Sequence, residues 1–433
     1  MDFFLLCLFT LLVFMRPTDY IPWLMGSNIL DIVAGLCLFV LLLRFDRLYH
    51  GPHNIFLFGF LLAGILSHVA YDVNVEGIIS TFFIFLKLAV VYLLVANVIN
   101  SPQRLTQYFI FLSGLLLVVG LNALWQVDHR ISYFGGVKPL IQVLRDPKDI
   151  VPPIKTLRIR GIGIFEDPND LGQILVLGGM LSLGVLLTSR SVLSRIYQVL
   201  AISVFALAIY HTNSRGTILA LIAGLGYYVV RSGRRLLPKL VGASLLFLVL
   251  TLGPSRTEFM TTASSKDRLE LWSTAINLFK EHPIIGVGVG RFSDAADIGK
   301  TAHQSYLLVL SEMGLVGYYF WLGLIFLFFF TIHTIRKKLL PETEEERNVL
   351  LLFNIVEAGV FGYLIAAYFL SRSYQFPLFL LLGLSPAMIL IVRNFNPDFK
   401  FSLHQKDWLL LSECVLGTAF FLYLLTRILW NLA

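Results

Sequence analysis

Residues Ser264 to Gly317 read SSKDRLELWSTAINLFKEHPIIGVGVGRFSDAADIGKTAHQSYLLVLSEMGLVG. In the first part of this stretch Leu269, Trp272, Ile276 and Phe279 fall at helical spacing. Lys266, Asp267, Arg268, Glu270 and Lys280 make the same segment too charged to cross a bilayer. The pattern predicts an amphipathic helix near 266–281 that lies flat on a membrane surface or against other helices. Gly286, Gly288 and Gly290 then mark a turn, and at Thr301-Ala302-His303-Gln304 the chain starts a long apolar run. Thr301 and Gln304 have the spacing of a capping box, which places His303 in the first helical turn. There its imidazole would face the positive end of the helix dipole, which favours the neutral form that accepts a proton. The plainer alternative is an interfacial polar residue capping a membrane helix.

Working outward, the composition identifies the class. The chain of 433 residues is 57% hydrophobic and 14% charged, with a formal net charge of +7 and a mean hydropathy of +0.78. Ordinary soluble domains carry about 25% charged residues, so this is a polytopic membrane protein. Apolar runs occur near 3–15, 23–43, 54–71, 77–99, 104–126, 171–188, 193–210, 215–231, 236–252, 303–333, 349–370, 374–392 and 408–430. They predict an all-α membrane domain over 1–433 with about 12–13 transmembrane helices. The first run has no basic n-region or small-residue cleavage site and reads as a retained helix rather than a signal peptide. Cys7, Cys37 and Cys414 all lie in apolar runs, where packing is expected and disulfide or thiol chemistry is not.

Charge asymmetry orients the chain. The connections 44–53, 100–104, 189–195, 231–239, 336–348 and 393–407 hold sixteen Lys or Arg, whereas the opposing short loops hold only Arg16, Arg215 and Arg372. The positive-inside rule makes the first set cytoplasmic. Two long loops, 127–170 and 253–302, are then expected outside. In the first, Leu157-Arg158-Ile159-Arg160 leads into a turn-rich run ending at Asp167-Pro168-Asn169-Asp170, which holds Arg160 near the membrane surface. Asp167 and Asp170 read as helix caps and turn formers. Arg215 and His303 each occupy the outer end of a span. Gly216, Ala220 and Gly224 form a small-residue stripe, as do Gly314 and Gly317 after His303, and either helix could therefore pack closely against another. Of the intramembrane charges, Lys87 is expected to pair with Glu312 or with Glu357, the sharper alternative being a proton path for a coupled transporter.

The ordered series Arg160-Gly161-Ile162-Gly163-Ile164-Phe165-Glu166-Asp167-Pro168-Asn169, Ser214-Arg215-Gly216 with Leu219, Arg268…Trp272 with His282-Pro283-Ile284-Ile285-Gly286-Val287-Gly288, and His303 with Gly314 resembles the O-antigen ligase and polymerase superfamily. The resemblance covers roughly residues 155–325. It implies a GT-C-like glycosyltransferase of the bacterial inner membrane whose active site faces the periplasm. It further implies transfer of a glycan from undecaprenyl pyrophosphate to a hydroxyl, on lipid A-core for a ligase or on a carrier-linked glycan for a polymerase. The family's arginine motif falls on Arg215, its histidine motif on His303, and its outer-loop arginine on Arg160, with Arg158 the other possible register.

Those residue types suit the chemistry. Guanidinium forks hold pyrophosphate oxygens and neutralise the departing charge, the role expected of Arg215 and Arg160. His303 is the candidate general base for the acceptor hydroxyl, and direct attack would invert the anomeric centre. Arg268 and Arg291 are further candidates for contacting acceptor phosphate or lipid headgroups. No outer-face cluster has metal-ligand spacing, so no metal or other cofactor is expected, and no nucleic-acid partner. The glycine run follows a helix, not a strand, and reads as flexible backbone near a bound glycan rather than a nucleotide loop. Ligation is placed slightly ahead of polymerisation. The alternative of another class is a non-enzymatic polysaccharide flippase or exporter, which would use a continuous polar path and often repeated halves. No convincing internal repeat is present, and the polar residues concentrate on one side.

Overall fold

Short connections and long apolar runs leave the backbone little choice but helices, because a lipid-exposed amide must be satisfied within its own segment. The computed structural model describes residues 2–44, 48–70, 75–144, 154–231, 263–297 and 299–432. In chain order the elements are α1 (Asp2–Met15), α2 (Ile29–Leu42), α3 (Pro52–Ala70), α4 (Val75–Val98), α5 (Pro102–Leu124), α6 (Gln126–His129), β1 (Leu140–Leu144), β2 (Ile154–Arg158), α7 (Pro168–Thr188), α8 (Val192–Thr212), α9 (Arg215–Arg231), α10 (Ala263–Glu281), α11 (Phe292–Ala295), α12 (Ser305–Lys338), α13 (Glu344–Ala367), α14 (Phe376–Phe395) and α15 (Gln405–Leu432).

Among the described residues nine helices are long and apolar enough to cross a membrane. The difference from the expected 12–13 has identifiable sources. The α1 and α2 helices have 14 residues each, about 21 Å at 1.5 Å per residue against a hydrocarbon core of about 30 Å. The α9 helix has 17 residues, and the expected span 236–252 lies outside the described residues. The membrane body is all-α. The first long loop adds an antiparallel pair, β1 with β2, in the register Leu140 to Arg158 and Leu144 to Ile154, which hydropathy did not signal.

By internal packing the chain forms two compact units. The first comprises 1–45, 98–253 and 339–366. Here α7 and α8 form a hairpin on α5, and α9 packs on α7. The expected close approach of the α9 stripe is present within this unit. A Cβ on Gly224 would lie 3.1 Å from the Ala358 carbonyl oxygen of α13, and one on Gly362 would lie 2.8 Å from the Ala220 carbonyl oxygen. Glu357 accepts from the Tyr227 hydroxyl at 2.8 Å and faces Arg231 at 3.5 Å, so its cation is supplied by Arg231.

The second unit comprises 46–97, 254–338 and 367–433. Here α12 packs against α3, α10, α14 and α15, and α14 is buried along most of its length. The amphipathic helix forms as expected. Leu271, Trp272, Ala275, Ile276 and Leu278 are buried, and it lies against α12 and α15.

Candidate functional site

In the first unit, three helix ends and one strand end are tied into a corner. The α8 helix stops at Asn213, whose left-handed backbone (φ 48°) lets its side-chain amide donate to the Leu157 carbonyl at 2.8 Å. The Ile159 amide donates to the His211 carbonyl at 3.2 Å. Arg158 donates from Nε to the Thr212 carbonyl at 2.9 Å and from Nη2 to Asn169 Oδ1 at 3.0 Å. Ser214 donates to the same Asn169 oxygen at 2.6 Å. Its hydroxyl also accepts from the Thr217 amide at 3.3 Å, capping α9 in the usual way of serine. Asp167 caps α7, accepting from the Asn169 amide at 2.8 Å, the capping role expected of it.

Arg160 is held by its backbone. Buried Gln126 accepts from the Arg160 amide at 3.1 Å and donates to its carbonyl at 2.6 Å. The Arg160 Nε donates to the Lys138 carbonyl at 2.9 Å. Arg215, first residue of α9, is exposed, and no partner is found for its guanidinium among the described residues. Arg158, Arg160 and Arg215 therefore gather at the end of this unit where the N-termini of α7 and α9 also lie. The α7 N-terminus already faces the Asp167 carboxylate, so the positive dipole end of α9 and the arginines are what suit the corner to an anion. Arg158 is largely committed to the corner itself, while Arg215 and the terminal nitrogens of Arg160 have donors to spare.

The second unit holds His303, Arg268 and Arg291. His303 does not occupy the first turn of α12. The helix begins at Ser305, and Gln304 is its cap: the Gln304 side-chain oxygen accepts from the Leu307 amide, and its carbonyl accepts from the Leu308 amide at 3.0 Å. The expected Thr301–Gln304 box is therefore replaced by a one-residue cap, because Gln304 supplies both acceptors itself. His303 precedes that cap in a left-handed conformation (φ 50°), which is uncommon outside glycine. Ala302 and Gln304 on either side are fully buried, while His303 is exposed. The fold thus fixes a strained backbone and turns one ring outward.

Nine residues into α12 the helix breaks. Gly314 adopts φ 60° and ψ −163°, which frees the carbonyls of residues 311 and 312 and the amides of 315 and 316. The segment 283–288 takes all four. The Val287 amide donates to the Ser311 carbonyl at 3.0 Å and the Gly288 amide to that of Glu312 at 2.9 Å, while the Leu315 and Val316 amides donate to the Pro283 and Ile284 carbonyls at 2.8 and 3.1 Å. Irregular backbone at membrane depth is tolerated on this condition. A Cβ on Gly286 would lie 2.3 Å from the Glu312 carbonyl carbon, and one on Gly314 2.4 Å from that of Ile284. Two sequence expectations change accordingly. The 286–290 glycines are pinned backbone rather than flexible chain, and Gly314 receives a loop rather than a neighbouring helix.

Arg291 follows this clasp. Its amide bonds the Gly288 carbonyl at 3.2 Å, and Glu312, buried at 2% exposure, accepts from the Phe292 amide at 3.3 Å. The contact reaches Oε1 of this intramembrane carboxylate, while Oε2 is buried without a hydrogen-bond partner among the described residues. Arg291 is thereby set about 10 Å further along α12 than its capped end. Arg268 lies on α10 beside Asp267, which bonds Lys300 at 3.0 Å and so ties the segment before His303 to that helix. Among the described residues no three His, Cys, Asp or Glu side chains group as metal ligands.

Gln126 escaped sequence reading, as did the partners of Asn169 and Glu312, since nothing in local spacing marks a long-range partner. Ser214, directly before the arginine of a helix start, carries a readable capping signal. Residues 199–322 match the O-antigen ligase family. The match spans α8, α9, α10, the clasp and the first half of α12, hence both Arg215 and His303. No curated protein matches the chain.

Proposed function

We propose, from the match of residues 199–322 to the O-antigen ligase family, that the protein transfers a glycan from undecaprenyl pyrophosphate to a hydroxyl of lipid A-core at the periplasmic face of the bacterial inner membrane. Arg215 and Arg160 clamp the pyrophosphate and neutralise the charge that develops as it leaves. Arg158 fixes the corner that aims them. His303 removes the acceptor proton as the oxygen attacks the anomeric carbon, which inverts that centre without a metal. Arg268 and Arg291 are assigned to acceptor phosphate or carrier headgroup.

The observation that most supports this reading is the corner of the first unit, where three arginines and the N-terminus of α9 collect positive potential while Arg215 keeps an uncommitted fork among the described residues. A flippase needs no such concentration at one end.

The test supplies purified protein with a labelled, defined undecaprenyl-pyrophosphate glycan and, in separate reactions, lipid A-core or carrier-linked glycan as acceptor. Label on lipid A-core with inverted configuration, unaffected by EDTA, is the expected result. Label found only on carrier-linked product would make the protein a polymerase. Unchanged glycan crossing liposome leaflets would make it a transporter.

A further inference from the structure

One end of the second unit carries two cations that share an aromatic ring. Lys280, at the end of the amphipathic helix α10, sits over the Tyr423 ring of α15 at 4.9 Å from its centroid. Arg427, one turn beyond Tyr423 on α15, approaches the same ring with Cζ at 6.0 Å. Both cations are exposed, and neither has a carboxylate partner among the described residues. Cations brought together on one ring repel each other, and at an exposed site the ring quadrupole offsets only part of that repulsion. An anion between them removes the repulsion.

The surroundings identify the kind of anion. On α15, Phe420, Phe421, Leu424, Ile428 and Trp430 expose 62, 57, 40, 54 and 45% of their surface, a belt suited to acyl chains with aromatics near headgroup level. Long cationic side chains beside such a belt reach up to the phosphate layer. A free anion would gain nothing from the apolar belt, whereas a lipid uses both features.

We infer that Lys280, Tyr423 and Arg427 form a binding site for the headgroup phosphate of an anionic bilayer phospholipid, bridging α10 to α15. None of these residues is assigned to the transfer reaction proposed above, and the inference is independent of it. By bridging the two helices, the bound lipid holds the amphipathic helix onto the bundle.

The test is native mass spectrometry of the delipidated full-length protein titrated with phosphatidylglycerol, with phosphatidylcholine, and with phosphatidylglycerol in the presence of millimolar inorganic phosphate. Wild type should retain one phosphatidylglycerol more tightly than phosphatidylcholine. At about 1 kcal/mol per cation near a headgroup, Lys280→Gln and Arg427→Gln should each weaken that binding about fivefold and the double variant about thirtyfold. Lys280→Arg should retain it. Because both side chains are exposed, these variants should keep the wild-type Tm. Equal binding of the two lipids, undiminished binding by the double variant, or displacement by inorganic phosphate would each overturn the proposal.

Discussion

His303 illustrates how much a single backbone angle decides. A left-handed histidine costs of order 1–3 kcal/mol, and burial of Ala302 and Gln304 on either side holds it in place. If it is the general base, His303→Ala should lower transfer by about 10²–10⁴-fold, while binding of the carrier-linked donor, followed by fluorescence titration, stays near wild type. Full turnover in the alanine variant would remove His303 from the chemistry. The arginines separate by their commitments. Arg215→Lys should lose at least about tenfold in single-turnover rate with an unchanged Tm, since lysine keeps the charge and loses the fork. Arg158→Ala should instead unfold earlier on heating, losing about 2–3 kcal/mol, because the Thr212 carbonyl and Asn169 forfeit a charged donor.

At the scale of elements, the clasp of 283–288 on broken α12 explains two glycines that motif reading could only mark. Four backbone hydrogen bonds replace the two that a continuous helix would have made there, and the loop fits only where Gly286 and Gly314 carry no side chain. Gly314→Ala places a Cβ where backbone already stands and forces a φ/ψ region nearly exclusive to glycine. It should cost about 3 kcal/mol or more, read as a lower Tm and faster proteolysis of the 282–300 segment. Gly290→Ala is the contrasting variant. Its Cβ would meet nothing within 4 Å, so only the positive φ of 76° opposes it, at roughly 1 kcal/mol.

At the scale of the whole molecule, topology can be checked face by face. In the second unit the Lys280–Tyr423–Arg427 contact puts the C-terminal end of α15 beside the amphipathic helix, whereas Lys338 at the far end of α12 bonds the Lys400 carbonyl at 3.0 Å. With the three native cysteines replaced, a membrane-impermeant maleimide should label Lys280→Cys and Asn431→Cys from one side of sealed spheroplasts. Lys400→Cys should react only after permeabilisation. Reaction of all three before permeabilisation would reject the orientation read from the basic loops.

The sequence by itself determined that this is a multi-pass helical membrane protein, where most of its spans run, that an amphipathic helix precedes the His303 span, and which family its motifs resemble. Hydropathy and helical period are local properties of consecutive residues, so they survive without coordinates. Only the tertiary structure decided that Gln304 rather than Thr301 caps α12, that the glycine run is locked into a broken helix, that Arg158 is committed to a corner built with Asn169 and Ser214, and that Arg231 serves Glu357. Each of these depends on hydrogen-bond partners distant in the chain or on a backbone angle imposed by buried neighbours, and spacing along a sequence records neither.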